Sequence, residues 1–275
     1  MEYSVENIQV MEGLEAVRMR PGMYIGTTGS RGLHHILWEL VDNAIDEAAN
    51  GYASFVEIEL GRDGTVTVTD DGRGIPVGIH EKHGVSGVEL VFTQLHAGGK
   101  FGNDSYGYSG GLHGVGASVV NALSSYLRAE VFTQGRAYMQ EFEPQVDSSG
   151  KLHPGRPKAP LKEVGRTRKQ GTVVTFKPDE RVFESTEMNF ELISRRMREL
   201  AYLNRGIIMR LIDLRKQKRE AEYCFSSGLT DFVAFLNADK TALYPAPIYF
   251  KGEKDGIAVE VAMQHNDGYA ESIFS

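Results

Sequence analysis

Four polar residues that can take part in catalysis fall together in residues 33–50, LHHILWELVDNAIDEAAN. At about 100° per residue, Glu39, Asn43 and Asp46 lie on one side of a helix, with Glu47 at its edge. A carboxylate such as Glu39 can take a proton from a water that attacks a phosphoryl group. Asn43, one turn further, offers a neutral oxygen to Mg²⁺. Because a solvated helix face often has the same spacing, this motif alone is weak.

A second candidate site follows the alternating segment TVTVT, which is typical of a strand. Residues 70–76 read DDGRGIP, and glycines there let the backbone approach a ligand without an intervening Cβ. Asp70, at the end of the strand, can accept a hydrogen bond from the exocyclic amine of adenine, whereas guanine presents a carbonyl. Arg73 is placed to pair with Glu47 and hold the loop against the helix. An acidic β-turn without a ligand is the alternative.

Glycines dominate residues 97–116, in the sequences GGKF and GGLHGVG. Successive glycines before a helix expose backbone N–H groups that can hold phosphates. Lys100 adds a positive charge and Tyr106 a hydroxyl. The spacing fits neither a Walker A loop nor a dinucleotide-binding fingerprint, because Phe101 follows GGK and a long loop precedes the second glycine cluster. We therefore expect a long mobile loop over a ligand, with a flexible linker as the alternative.

The elements that position these groups follow from the spacing of apolar residues. On the predicted helix over 33–50, the buried side consists of Leu37, Val41, Ala44 and Ala48. Strands are predicted at 54–60, 65–70, 125–144 (a hairpin), 171–178, 205–215 and around Tyr223, and helices at 115–123 and 190–203. Residues 147–170, rich in Pro, Gly, Lys and Arg, read as an exposed loop. A boundary near Ser226 precedes one more helix and two strands, YPAPIYFKG and GIAVEVAMQH.

Composition limits the class of protein. The 275 residues suffice for two domains, and no run of about 18 apolar residues predicts a membrane span. One cysteine and an acidic N-terminus without an apolar signal core predict a cytoplasmic protein. A net charge of −7 predicts that the chain as a whole does not attract DNA. The basic stretches 151–169 and 205–219 are interpreted as solvated surface, with DNA contact as the alternative, and His34 and His35 as packing residues rather than metal ligands.

The segments ELVDNAIDE, DDGRGIP, LHAGGKF, SGGLHGVG and QGTVV, in this order, resemble the motifs of the ATPase family shared by gyrase, a heat-shock chaperone, sensor histidine kinases and MutL. RPGMYIG and LHAGGKF are similar to the B subunits of type II topoisomerases, and the resemblance runs from Tyr3 to Ser275. It implies an α/β (α+β) two-layer sandwich with a mixed, mainly antiparallel sheet. It also implies an ATPase domain over 1–225 with an N-terminal arm over 1–12, and the start of a transducer-type α/β domain over 226–275.

The resemblance also implies a role for each motif residue. Glu39 matches the general base, Asn43 the Mg²⁺ ligand, Asp46 a further nucleotide-site residue, and Asp70 the adenine-reading carboxylate, which Gly74 and Thr172 assist through a water. Apolar pocket walls match Val68, Ile75, Pro76, Val91 and Val174. Phosphate and ribose contacts match Lys100, Tyr106, Gly111, Leu112, His113, Gly114, Val115, Gly116 and Ala117. In the family, the arm residues corresponding to Tyr3 and Ile8 cross to a second copy of the chain, where Tyr3 touches the nucleotide.

The implied function is ATP-driven change of DNA topology, with ATP and Mg²⁺ as cofactors. The implied partners are a second copy of the chain, a topoisomerase A subunit in an A2B2 complex, DNA through the full complex, and competitive ATP-site inhibitors. Met139 stands where relatives carry a basic residue at the pocket mouth, and the family's γ-phosphate lysine is expected beyond Ser275. Gyrase and topoisomerase IV remain alternatives, as does a nucleotide-dependent dimerisation module with little turnover. A mismatch-repair, chaperone or histidine kinase ATPase fits the motifs less well.

Overall fold

The computed structural model describes residues 13–95, 116–255 and 257–274. Its largest element is a nine-stranded sheet. The strands of this sheet are β1 (Phe55–Leu60), β2 (Val66–Asp70), β3 (Ser124–Thr133), β4 (Arg136–Val146), β5 (Leu152–Pro157), β6 (Lys162–Arg166), β7 (Gly171–Pro178), β8 (Ile208–Asp213) and β9 (Arg219–Tyr223). The helices are α1 (Gly13–Met19), α2 (Gly22–Ile25), α3 (Ser30–Ala49), α4 (Gly87–Thr93), α5 (Gly116–Ala122), α6 (Phe190–Leu203) and α7 (Leu229–Leu236). A separate hairpin consists of β10 (Ile248–Lys254) and β11 (Ile257–Met263).

The strand order is β5-β4-β3-β7-β2-β1-β8-β9, and β6 pairs with the same strand, β4, as β5 does. Among the described residues β1 and β8 run parallel, and the other pairs of this sheet are antiparallel. Alternate residues of β1 and β7 are buried, which is typical of a sheet with one covered face. The helices α3, α5 and α6 pack on the sheet and complete the core. The predicted two-layer, mainly antiparallel fold is confirmed.

Local sequence explains where several elements begin and turn. Ser86 caps α4, since its hydroxyl accepts a hydrogen bond from the N–H of Glu89, and Asn189 caps α6 through Leu192 in the same way. Between β3 and β4, Gln134 and Gly135 both have positive φ, +53° and +76°, as a type I′ hairpin turn requires. These local signals fix the turn between β3 and β4 and the first residues of α4 and α6.

The prediction of an exposed loop over 147–170 is wrong, because the segment forms β5 and β6. The two strands pair with successive halves of β4, which supplies their backbone hydrogen bonds. Neither strand has an alternating apolar pattern of its own from which it could be predicted. Pro154 and Gly155 are buried, whereas every residue of β6 is exposed. Prolines, glycines and a register shift between Glu143 and Gln145 hide the alternation by which strands are recognised.

Beyond residue 226, α7 contacts both α6 and β11. The boundary near Ser226 stays a prediction. No helix among the described residues is long and apolar enough to cross a bilayer.

Candidate functional site

Glu39 lies on α3 where that helix packs against α5. A Cβ on Gly116, the first residue of α5, would overlap Oε2 of Glu39 and lie 2.9 Å from its Cβ and Cδ. The side chain of Glu39 keeps 23% exposure, and its Oε1 lies 3.2 Å from Nε2 of His35, one helical turn earlier. The carboxylate therefore lies between an imidazole and a bare backbone while remaining accessible to water, which suits a general base. His35 was not among the predicted site residues, although its i, i+4 spacing from Glu39 was readable.

Asn43 and Asp46 continue along the same helix but in different surroundings. Asn43 is partly buried, one turn after Glu39, and Asp46 is buried with 2% exposure. A solvated helix face, the alternative interpretation of this motif, therefore does not describe Asp46. The reason is that α3 has neighbours on several sides: it contacts α2, α5, β1 and β2.

Asp70 ends β2, and its register partners are Val56 on β1 and Thr172 on β7. Its Oδ1 accepts a hydrogen bond from the N–H of Gly72 at 2.9 Å. Burial raises the pKa of Asp70 to about 6; the Gly72 hydrogen bond opposes this rise, and the nearby charge of Glu47 adds to it. A carboxylate held in this way, at a strand end, is a candidate acceptor for a specific polar group of a ligand.

The backbone approaches Asp70 closely from β7. Gly171 has a φ of +119°, and a Cβ there would overlap the carbonyl oxygen of Asp70, so this position admits only glycine. Thr172, one of the two residues predicted to assist Asp70, is 7% exposed and lies directly opposite it. Gly74, the other, has a φ of +80°. The structure thus brings the three residues of the predicted adenine contact to neighbouring strands and a turn.

Asp71 has a structural role that the sequence did not reveal. Its Oδ1 accepts hydrogen bonds from the N–H groups of Ser54 and Phe55 at 2.7 and 2.9 Å, and its Oδ2 accepts one from the Ser54 hydroxyl at 2.6 Å. Although burial acts to raise it, these hydrogen bonds hold the pKa of Asp71 below its usual value. Asp71 therefore anchors the end of β2 to the start of β1 and fixes the backbone that carries Asp70.

The predicted pairing of Arg73 with Glu47 is confirmed. The guanidinium donates through Nε and Nη2 to the two carboxylate oxygens at 3.1 and 2.8 Å, and the Arg73 backbone N–H donates at 2.9 Å. The ring of Tyr52 lies 3.7 Å from the guanidinium carbon, in a cation–π arrangement. This bidentate contact joins the loop after β2 to the C-terminal half of α3.

The apolar residues predicted as pocket walls surround the same loop. Val68 and Val174 are buried cross-strand partners, and Ile75 and Val91 pack against the core while partly buried. Pro76 lies against the start of α4, where a Cβ on Gly87 would overlap its carbonyl oxygen. The wall that these five residues would form stays a prediction.

Several predicted site residues lie outside the described part of the chain. They are Tyr3, Ile8, Lys100, Tyr106, Gly111, Leu112, His113, Gly114 and Val115. Of the predicted phosphate contacts, Gly116 and Ala117 are described, and both are buried at the start of α5. The described residues therefore include the candidate adenine contact, Asp70, and the candidate general base, Glu39. The role of the glycine-rich segment stays a prediction.

A further contact stabilises the C-terminal end of α5. Arg18 on α1 donates a hydrogen bond to the carbonyl oxygen of Ala122, at the end of α5, at 3.1 Å, and forms an ion pair with Asp179. Asp179 also pairs with Arg181. The charge of Arg18 next to the C-terminus of α5 complements the partial negative charge there. No local signal links these residues, because 161 positions separate Arg18 from Asp179.

Comparisons with known proteins identify the family and the fold. The model of the family described as histidine kinase-, DNA gyrase B- and HSP90-like ATPase matches residues 28–182, and that described as DNA gyrase B matches residues 228–275. The chain is 49% identical over 274 residues to the DNA gyrase B protein of Halalkalibacterium halodurans, covering 99% of the chain and 41% of the relative. It is 48% identical to the DNA topoisomerase 4 B protein of Enterococcus faecalis, covering 100% and 39%. The chain thus spans about two fifths of the length of these relatives.

A solved structure shares the fold. The 43K ATPase domain of Thermus thermophilus gyrase B, in complex with an aminocoumarin, superposes with a TM-score of 0.79 at 38% identity, covering 94% of this chain and 63% of that one. The family match covers more than half of the chain and includes α3, both candidate carboxylates and β7. The chain therefore belongs to the family of histidine kinase-, DNA gyrase B- and HSP90-like ATPases.

Proposed function

We propose that this chain binds ATP with Mg²⁺ and hydrolyses it, as the ATPase unit of the B component of a type II topoisomerase. The observation that carries the proposal is the arrangement along α3. This helix presents Glu39 to the start of α5 and, two turns later, Glu47 to the loop that follows Asp70. Eight residues of helix separate the two contacts by about 12 Å. The helix α3 therefore carries Glu39, the candidate carboxylate that activates water, and through Glu47 holds the loop next to Asp70, the candidate carboxylate that recognises adenine.

Asp70 would recognise the adenine. Its carboxylate accepts a hydrogen bond from the exocyclic amine, and Thr172 and Gly74 assist through a water molecule. Guanine would present a carbonyl lone pair to the same carboxylate, which costs about 1–3 kcal/mol as an unsatisfied polar contact. ATP is therefore preferred over GTP.

Glu39 would act at the other end of the nucleotide. A water held by its carboxylate attacks the γ-phosphorus, its proton passes to Glu39, and the bond to the bridging oxygen breaks to leave ADP. Asn43 would hold Mg²⁺ through its neutral side-chain oxygen, which lies one turn from Glu39 on α3 and suits this hard cation. When bound, Mg²⁺ neutralises phosphate charge. The absence of a Cβ at Gly116 lets the start of α5 approach the Glu39 carboxylate closely.

The wider assembly is proposed from the relatives. Gyrase B and topoisomerase IV B relatives match at 49% and 48% identity, so supercoiling and decatenation are both candidate activities. We expect a dimer of the chain on ATP binding, an A2B2 complex with a topoisomerase A subunit, and DNA bound by the full complex. The aminocoumarin in the Thermus thermophilus structure supports inhibitor binding at the candidate site, which Met139 would modify at the pocket mouth.

Calorimetry of the chain with ATP, GTP and a non-hydrolysable ATP analogue, each with Mg²⁺, tests the proposal. The expected result is binding of both adenine nucleotides and at least tenfold weaker binding of GTP, since 1.4 kcal/mol corresponds to a factor of ten. Equal affinity for ATP and GTP would contradict the role of Asp70, and no binding of any nucleotide would contradict the site as a whole. Light scattering with and without the analogue tests the dimer.

A further inference from the structure

The two basic stretches of the sequence have different surroundings in the structure. In 205–219, Arg210 pairs with Glu57 and Glu222, and Arg215 and Arg219 both pair with Asp213. The pKa of Asp213 is held below its usual value, first by the hydrogen bond from Arg215. The positive charges of this stretch are thus largely matched by carboxylates.

In the stretch 151–170, by contrast, most positive charges have no carboxylate partner among the described residues. It contains seven Lys and Arg residues and one acidic residue, Glu163, in a chain whose net charge is −7. Lys151 and Lys158 pair with Glu15 and Glu143 of other segments, and Glu163 pairs with Arg136. Five cations form no ion pair with the described part of the chain and are exposed: Arg156 on β5, and Lys162, Arg166, Arg168 and Lys169 on or directly after β6. We call the last four of these residues the β6 basic surface.

Packing does not explain why these residues are basic. Each of the five residues of β6 is exposed, whereas β1 and β7 each bury alternate side chains. Charged residues, Lys in particular, do protect the edges of sheets from pairing with other chains, and Lys162 and Arg166 can serve that purpose. At the opposite edge of the sheet, β9 carries Arg219, Glu220 and Glu222, and its charges are paired. Edge protection does not account for Arg168 and Lys169, which follow the end of β6.

We propose that the β6 basic surface binds the phosphate backbone of duplex DNA. Lys162 and Arg166 lie on either side of a register shift in β6, since their partners on β4 are Met139 and Arg136, three residues apart. About 10 Å therefore separates the two cations along the sheet edge, which spans about three nucleotides along one DNA strand, and their side chains start from opposite faces of that edge. Arg168 and Lys169 continue the row towards β7, where Nζ of Lys169 lies 5.7 Å from the centroid of the Phe132 ring. Charges further than about 10 Å away are screened at 0.1 M salt, so the acidic remainder of the chain does not cancel this local surface.

The proposed contact is independent of base sequence, because exposed Lys and Arg side chains on an edge strand reach phosphates and not base edges. It goes beyond the proposed ATPase activity, since none of these four residues belongs to the candidate nucleotide site. The surface gives the chain a way to hold a DNA segment directly, although its total charge is negative.

A charge-matched pair of variants tests the proposal on the 275-residue chain. The patch variant carries Lys162→Gln, Arg166→Gln and Arg168→Gln. The control variant carries Lys216→Gln, Lys240→Gln and Lys251→Gln, which removes the same charge from exposed positions elsewhere. Fluorescence anisotropy with a short duplex between about 50 and 200 mM KCl gives the affinity and its salt dependence. Calorimetry with an ATP analogue checks that both variants keep the nucleotide site.

The expected result is that the patch variant loses affinity by about tenfold or more at low salt. The slope of log K against log salt falls by about 2.7, since each phosphate contact contributes about 0.9. The control variant should match the unmodified chain. DNA binding that is absent, or that the two variants change equally, would overturn the proposal while leaving the nucleotide measurements to stand separately. Equal binding of poly-glutamate, with the same loss in the patch variant, would assign the surface to acidic polypeptides and also overturn it.

Discussion

Glu39 and Gly116 approach each other so closely that no side chain fits between them. We predict that Gly116→Ala displaces the Glu39 carboxylate and lowers ATP turnover by about 100-fold, as expected when a general base is mispositioned. Adenine nucleotide affinity should change much less, because the loop after Asp70 is held by Glu47, eight residues further along α3 than Glu39. Steady-state turnover and calorimetry separate the two effects. Gly78→Ala is the control, since a Cβ there meets nothing within 4 Å. Equal turnover in the two variants would count against the role of this contact.

Glu39→Ala removes the candidate base itself. Turnover should fall by about 100-fold or more while ATP binding stays nearly intact, because only activation of the attacking water is lost. Single-turnover hydrolysis with saturating ATP is the measurement, and Glu81→Ala, in an exposed loop, is the control. Unchanged hydrolysis in Glu39→Ala would remove this residue from the mechanism, whereas no hydrolysis by the unmodified chain would favour a module that binds ATP without turnover.

Replacing Asp70 and Asp71 by Asn should change the free energy of unfolding in opposite directions at a pH above 6. The pKa of Asp70 is raised from 3.8 to about 6, so its favourable contribution is complete below about pH 4 and is lost as the pH rises through 6. Asp70→Asn should therefore raise the free energy of unfolding at about pH 7.5 by up to about 3 kcal/mol, with little change at about pH 4. The pKa of Asp71 is lowered, so Asp71→Asn should destabilise the chain at the higher pH. Urea unfolding without ligand measures both, and equal signs at that pH would contradict the assignment.

Nucleotide affinity should depend on the same titration. Since an ionised carboxylate accepts a hydrogen bond from the adenine amine more strongly than a protonated carboxyl does, ATP affinity should fall as the pH is lowered through about 6, where Asp70 takes up a proton. Calorimetry at about pH 7.5 and about pH 5.5 measures the change. In Asp70→Asn the affinity should be weaker at the higher pH and should vary less with pH, which separates this titration from that of the phosphates. An equal pH dependence in both proteins would exclude Asp70 as its source.

The bidentate contact between Glu47 and Arg73 should be measurable in a double-mutant cycle. The carboxylate side chain is 12% exposed and the guanidinium 36%, so the coupling should be about 1 kcal/mol rather than the value of a buried pair. Glu47→Gln, Arg73→Gln and the double variant complete the cycle in urea unfolding. Both single variants should also weaken ATP binding, because the loop that carries Gly74 loses its anchor. A coupling energy near zero would show that other contacts hold this loop.

Sequence patterns predicted most of the elements because their signals are local. The helices over 33–50 and 190–203, the hairpin turn at Gln134 and Gly135, and the pairing of Arg73 with Glu47 each follow from spacing or turn chemistry. The strands β5 and β6 were missed because β4, and not their own apolar pattern, specifies them.

The candidate site was predictable in its residues but not in their environments. Two adjacent aspartates look alike in a sequence, yet successive side chains of a strand point in opposite directions. Asp70 accepts a hydrogen bond from the N–H of Gly72, whereas Asp71 accepts hydrogen bonds from the start of β1. Burial of Asp46 and the support of α5 by Arg18 depend on contacts across more of the chain than any local pattern covers.

The pairing of β2 with β7 has a consequence for folding. Asp70 and Thr172 are register partners although about one hundred residues separate them, so the adenine side of the candidate pocket cannot exist in a partly synthesised chain that ends before β7. Contacts between such distant residues form slowly, since a long loop must close before they stabilise anything. A nucleotide bound there would stabilise only chains that have completed this pairing, and so would slow amide hydrogen exchange across β2 and β7 together.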